Sequence, residues 1–73
     1  MELVEFLKEK RNAVGLTQQE LAEKAGVGLR FIRDMEQGKE TLRLDKVNQV
    51  LQLFGYRIGA VPITRNIATN EKG

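Results

Sequence analysis

Residues 16–38, LTQQELAEKAGVGLRFIRDMEQG, decide the fold. Thr17 is a good helix N-cap, and Glu20, three residues later, can close a capping box in which each residue bonds the other's backbone N–H. Leu21, Ala22 and Ala25 then recur on one helical face. Gly26 supplies the left-handed backbone that ends such a helix, and Val27 gives the turn an apolar residue. A second helix is expected over 29–37, with Ile32 and Met35 as its inward pair and Gly38 as its stop. Helices this short, joined by a turn of three to four residues, cross each other as a helix-turn-helix. Where such a unit binds DNA, its second helix lies in the major groove.

Outward from this unit, the spacing predicts a first helix over 2–14, with Leu3, Phe6, Leu7 and Val14 on one side and Gly15 as its stop. A fourth helix is predicted over 44–54, because Leu44, Val47, Val50, Leu51 and Phe54 fit a period of 3.6. Gly55 ends it, and 38–44 is a short polar connection. The chain then changes character. Residues 56–61 read as a short strand with Tyr56, Ile58 and Ala60 on one face, and Pro62 ends it or confines it to an edge. A lone strand cannot satisfy its own backbone, and no second strand is evident. Pairing with the same strand of a second subunit is the natural solution, and it supplies two-fold symmetry. The alternative is a fifth helix, against which Gly55, Gly59 and Pro62 argue.

Seventy-three residues make one domain near the size at which a single core only just suffices. There is no cysteine and no histidine, so neither a disulfide nor a zinc site is expected, and no cofactor is implied. A small domain without staples gains from burying a face in a partner. The apolar runs are too short for a membrane span, and the first residues lack the apolar core of a signal peptide, so the expected location is cytoplasmic. The formal charge of +2 does not by itself imply nucleic-acid binding. Its distribution is more telling: Arg30, Arg33, Lys39 and Arg43 gather around the second helix of the unit, although a scattered solvated surface gives similar totals. Catalysis finds no footing, with no nucleophile–base pair, no Gly-rich phosphate loop and no carboxylate pair in a plausible cleft.

Residues 3–53 resemble the Cro/CI-type (XRE) helix-turn-helix regulators. The resemblance rests on Leu16-Thr17-Gln18, Glu20-Leu21-Ala22, Ala25-Gly26-Val27, Ile32 and Glu36-Gln37-Gly38. Gly28 departs from the family's usual Ser or Thr cap at the start of the recognition helix, a small loss for helix stability. The expected fold is mainly α: a four-to-five-helix Cro/CI-like DNA-binding domain over 1–61, with a short C-terminal β-strand pairing across a dimer. A polar tail, expected to be mobile, occupies 62–73.

With Ile32 and Met35 fixing the phase of the recognition helix, Leu29, Arg30, Arg33 and Asp34 are expected on its groove side. Arg30 and Arg33, one turn apart, suit bidentate bonds to guanine, and Leu29 suits a thymine methyl. Asp34 either accepts from cytosine or orients Arg30. A merely solvated face is the plain alternative. Thr17 and Gln18, at the start of the preceding helix, and Lys39, Thr41 and Arg43, after the recognition helix, are expected phosphate ligands. The family resemblance gives the glutamine at Gln18 a phosphate and a brace to the start of the recognition helix. It also implies a structural ion pair between Arg11 and Glu36. Expected dimer contacts are Val50, Leu53, Phe54, Tyr56, Ile58 and Ala60. Arg43-Leu44-Asp45-Lys46-Val47 and Leu53-Phe54-Gly55-Tyr56 resemble the HipB-like antitoxins in particular. That resemblance implies a homodimer on a palindromic double-stranded operator, repressing its own operon and binding a HipA-type kinase toxin. A stand-alone phage or plasmid repressor, or a protein-interaction module without DNA binding, are the alternatives.

Overall fold

In the computed structural model, which describes residues 2–63, four helices follow in order: α1 (Glu2–Ala13), α2 (Gln18–Ala25), α3 (Leu29–Glu36) and α4 (Leu44–Leu53). The local code between α1 and α3 forms as the sequence predicts. Thr17 Oγ1 accepts from the Glu20 N–H at 3.0 Å, and the Glu20 carboxylate accepts from the Thr17 N–H at 2.8 Å. Gly26 ends α2 at φ 76°, and its N–H and that of Val27 both donate to the Ala22 carbonyl. An L side chain in that backbone is strained by about 1–2 kcal/mol, which is why glycine stands there.

The helices bury a core of Val4, Leu7, Leu21, Ala22, Ile32, Met35, Val47, Val50 and Leu51. α3 packs against both α1 and α2, while α4 packs against α2. Ile32 and Met35 are fully enclosed, so the inward face of α3 is set by apolar burial. Each such side chain contributes about 1.5–3 kcal/mol of transfer free energy.

Several expectations shift. Val14 is 58% exposed and Leu44 66% exposed, so neither belongs to the core. α1 has already ended at Ala13, and Leu44 opens α4, where a side chain has no preceding turn to pack over. Val4 takes the core place instead, one turn before Leu7. Val50, expected at an exposed dimer face, is wholly buried, because it lies one turn after Val47 on the face that meets the rest of the core.

After Gly55 the backbone over 56–63 forms neither a fifth helix nor a paired strand. The segment is nevertheless held. Phe54 and Ile58 pack against the core, and Asn48 Oδ1 on α4 accepts the Ile58 N–H at 2.8 Å. The Tyr56 ring meets Phe6 edge-on at 4.9 Å, with Lys10 Nζ over both rings. Of the expected tail, 62–73, the part from residue 64 onward lies outside the described residues.

Candidate nucleic-acid interface

Helix α3 is fixed at its C-terminal end by a polar latch. Arg11, in the last turn of α1, donates to Glu36 in bidentate fashion, Nε to Oε2 at 2.7 Å and Nη2 to Oε1 at 3.0 Å. Its third nitrogen, Nη1, donates to the Leu16 carbonyl at 2.9 Å, and Gln18 Nε2 donates to Glu36 Oε1 at 3.0 Å. The pair is buried, with side chains only 14% and 3% exposed. Burial alone pushes the Glu36 carboxyl upward, but the hydrogen bonds from Arg11 and Gln18 outweigh it and hold the group below the usual carboxylate range. One carboxylate thus joins α1, the first residue of α2 and the last residue of α3. The brace made by Gln18 reaches the end of α3, not its start, because Glu36 presents the buried acceptor.

On the other side of α3, Arg30 and Arg33 are exposed. Among the described residues neither makes an ion pair or a side-chain hydrogen bond. Asp34 does: its partner is Lys39 at 3.5 Å, not Arg30. Gly38 turns the chain back at the end of α3, and the Lys39 N–H donates to the Asp34 carbonyl at 3.1 Å, which brings the lysine beside the helix. Leu29 is only partly available to a groove, since it packs against the core. It stands one turn before Ile32 and shares that residue's face. Phe31 also packs partly inward, a contact that the choice of Ile32 and Met35 alone as inward positions leaves out.

The expected phosphate ligands lie at two places. Thr17 and Gln18 mark the start of α2, where the capping box and the latch occupy Thr17 Oγ1 and Gln18 Nε2 as described. Lys39, Thr41 and Arg43 are all exposed along the connection from α3 to α4. Arg43 is engaged by Asp45, Nη2 to Oδ2 at 2.7 Å and Nε to Oδ1 at 3.2 Å. Hydrogen bonds from Arg43 hold the Asp45 carboxyl below its ordinary range. A further bracket has no signal in the sequence: Gln49 Nε2 on α4 donates to the carbonyls of Ala25 and Gly26 at 3.4 and 3.3 Å. It ties α4 to the turn that sets the angle between α2 and α3. Nothing in the spacing marks it, because its partners lie 24 and 23 residues earlier.

α3 thus has an enclosed inner face, while Arg30 and Arg33 stand exposed on its outer one. Residues 7–61 match the helix-turn-helix family. The chain belongs to the Cro/CI-type helix-turn-helix regulators. It is also 52% identical, over 56 residues, to the uncharacterised HTH-type transcriptional regulator y4mF of Sinorhizobium fredii (strain NBRC 101917 / NGR234). That match spans 77% of this chain and 70% of the relative. The Cro/CI-type unit is a DNA-binding transcription regulator, a family that is typically non-enzymatic. Among the described residues no helix is long and apolar enough to cross a membrane.

Proposed function

We propose that this regulator is a sequence-specific repressor that binds a palindromic double-stranded operator as a homodimer, with Arg30 and Arg33 reading base edges. The observation that carries the reading is the contrast between those two arginines and the other charged groups around α3. Glu36 is latched and Asp34 and Lys39 are paired to each other, while Arg30 and Arg33 stand exposed on a helix whose phase the core fixes. A guanidinium without an internal partner can give both donors to guanine O6 and N7. Thr17, Gln18, Lys39, Thr41 and Arg43 then lie at either end of the unit as contacts to the phosphate backbone. Leu29 and Asp34 would make the lesser base contacts. The two-fold axis comes from residues 56–61 with Leu53 and Phe54. Adjacent major-groove faces recur about every 34 Å, so the dimer must set that separation.

Titration of operator duplexes carrying single-base changes tests this. Arg30→Ala and Arg33→Ala should each cost about 1–3 kcal/mol of specific affinity and relax preference at one base pair, leaving the fold intact. Lys39→Ala should weaken all sequences alike and flatten the salt dependence. Unchanged base preference in both arginine variants would overturn the assignment.

The HipB-like reading rests on the motifs at 43–47 and 53–56. It makes the chain the autoregulating antitoxin of a kinase toxin, and co-expression with a HipA-type kinase encoded beside it is the direct test. A stable complex supports the antitoxin role. Operator binding with no such complex identifies a stand-alone repressor.

A further inference from the structure

The two ends of α3 are held differently. Its C-terminal end is fixed by the latch of Arg11, Glu36 and Gln18. Its first turn has no such fastening: Gly28 stands at the N-cap in extended backbone and gives no side-chain bond to the free N–H groups there. The backbone just before that turn is held from α4 instead. Among the described residues no backbone N–H donates to the carbonyls of Ala25 or Gly26. Gln49 Nε2 donates to both, at 3.4 and 3.3 Å, and one side-chain amide carries the two N–H donors this takes. Gln49 is itself exposed, but the next residue, Val50, is fully buried, so the core sets the place from which Gln49 reaches. Arg30 stands in the first turn of α3, beyond this bracket, whereas Arg33 lies in the last turn, beside the latch.

We propose that Gln49 is a positioning residue for base reading: by holding the Ala25 and Gly26 carbonyls from α4, it sets the direction in which α3 leaves the turn, and so places Arg30 more than Arg33. This rests on the base contacts proposed above for the two arginines and adds the residue that aims one of them. A bidentate guanidinium–guanine pair needs both donors aligned with O6 and N7, so a small rotation at the start of α3 costs discrimination there first. A contact to phosphate tolerates the same rotation, because it draws on charge and not on the pattern of a base edge. Gln49 thereby does from another helix what a side-chain cap at the start of α3 would do locally.

A cycle of two substitutions, read on operator duplexes with single-base changes, tests the proposal. Gln49→Met keeps the length, neutrality and helix propensity of the side chain and removes its donors. It should lower preference at the base pair that Arg30→Ala relaxes by about threefold, the scale of one hydrogen bond between neutral groups. Preference at the Arg33 base pair and binding to scrambled duplex should change by less than about twofold. Gly28→Ser supplies the absent cap, and nothing lies within 4 Å of where its Cβ would stand. Added to Gln49→Met, it should restore the lost preference. Gly28→Ser alone, the remaining corner of the cycle, subtracts any gain the hydroxyl gives by itself. Amide exchange without DNA supplies a second reading. The Gly26 and Val27 amides, bonded to the Ala22 carbonyl, should exchange about threefold faster in Gln49→Met, while the Leu21 amide, bonded to the Thr17 carbonyl, keeps its rate. Unchanged preference at both base pairs would overturn the inference. An equal loss at both, or a loss shared by scrambled duplex, would do the same by marking a structural role alone, as would a loss that Gly28→Ser leaves in place. If Arg30→Ala itself relaxes no preference, base reading fails and takes this inference with it. A failure of Gln49 alone shows instead as a normal Arg30 effect beside unaltered exchange at Gly26 and Val27.

Discussion

The α2–α3 unit and the segment after α4 are built by opposite means. In the unit the groups that set the backbone are bonded within the chain: the capping box closes over Thr17 and Glu20, Gly26 and Val27 complete the turn, and Glu36 accepts three hydrogen bonds. In the segment, among the described residues, Asn48 is the side chain that supplies a partner, accepting from the Ile58 N–H. The first region specifies its shape from within one chain. The second is specified only in part, and is where association should be sought.

The largest expected effect breaks the first region at its latch. Glu36→Ala leaves the Arg11 guanidinium buried without its counter-charge, at a cost of about 3–5 kcal/mol. A domain of 73 residues, at the usual 0.05–0.15 kcal/mol per residue, is stable by roughly 4–11 kcal/mol, so this one change removes a large share. Urea unfolding at neutral pH measures it. The same group gives the pH dependence a sign. Its carboxyl is depressed in the folded chain, so its contribution is present above the unfolded value near ~4.3 and is lost as pH falls through the folded one. Glu36→Gln should therefore flatten the acid limb of stability below about pH 4. An acid limb as steep as that of the parent would show that other carboxylates carry it.

A smaller effect is expected at the cap. Thr17→Ala removes the acceptor for the Glu20 N–H and should cost about 1 kcal/mol, read in the same unfolding experiment. A change below a few tenths would mean that water replaces the cap at no loss. This position also shows why the unit was legible in the sequence. Thr17, Glu20 and Gly26 act over three or four residues, a distance at which residue type and spacing carry the geometry. The inward phase of α3 was legible for the same reason. Val14 and Leu44 misled because periodicity shows which face a residue occupies but not where the core ends along the helix. Val50 follows Val47 by one turn, so the period itself places it in the core and not at a dimer surface. The latch is a different case: nothing in the spacing of Arg11, Gln18 and Glu36 joins them, and only the resemblance to a known family anticipated the Arg11–Glu36 pair. Asn48 and Gln49 had no signal of either kind. They are ordinary polar residues of α4 whose partners, ten and more residues away, exist only once the helices have packed.

The smallest effect sharpens the comparison at the junction between the two regions, where α4 begins. Arg43 is the N-cap residue of α4 and is held by Asp45, whose Oδ1 also accepts the Lys46 N–H at 2.9 Å. Both side chains are mostly exposed, 69% and 62%, so solvent screens the pair and it adds little to the fold. Its meaning for DNA is larger than for stability. A phosphate that approaches Arg43 meets the Asp45 charge at the same helix end and must displace it from the guanidinium. Asp45→Asn keeps an acceptor for Lys46 while removing that charge. If Arg43 is a backbone contact, affinity should rise by a few-fold, on the order of what one exposed ion pair is worth, for operator and scrambled duplex alike. Fluorescence anisotropy at two salt concentrations reads it, and the salt dependence should steepen because the freed cation neutralises more of the phosphate charge. A gain confined to the operator would place Arg43 among the base-reading groups. No gain on either duplex would remove it from the interface and leave Lys39 and Thr41 as the contacts of that connection.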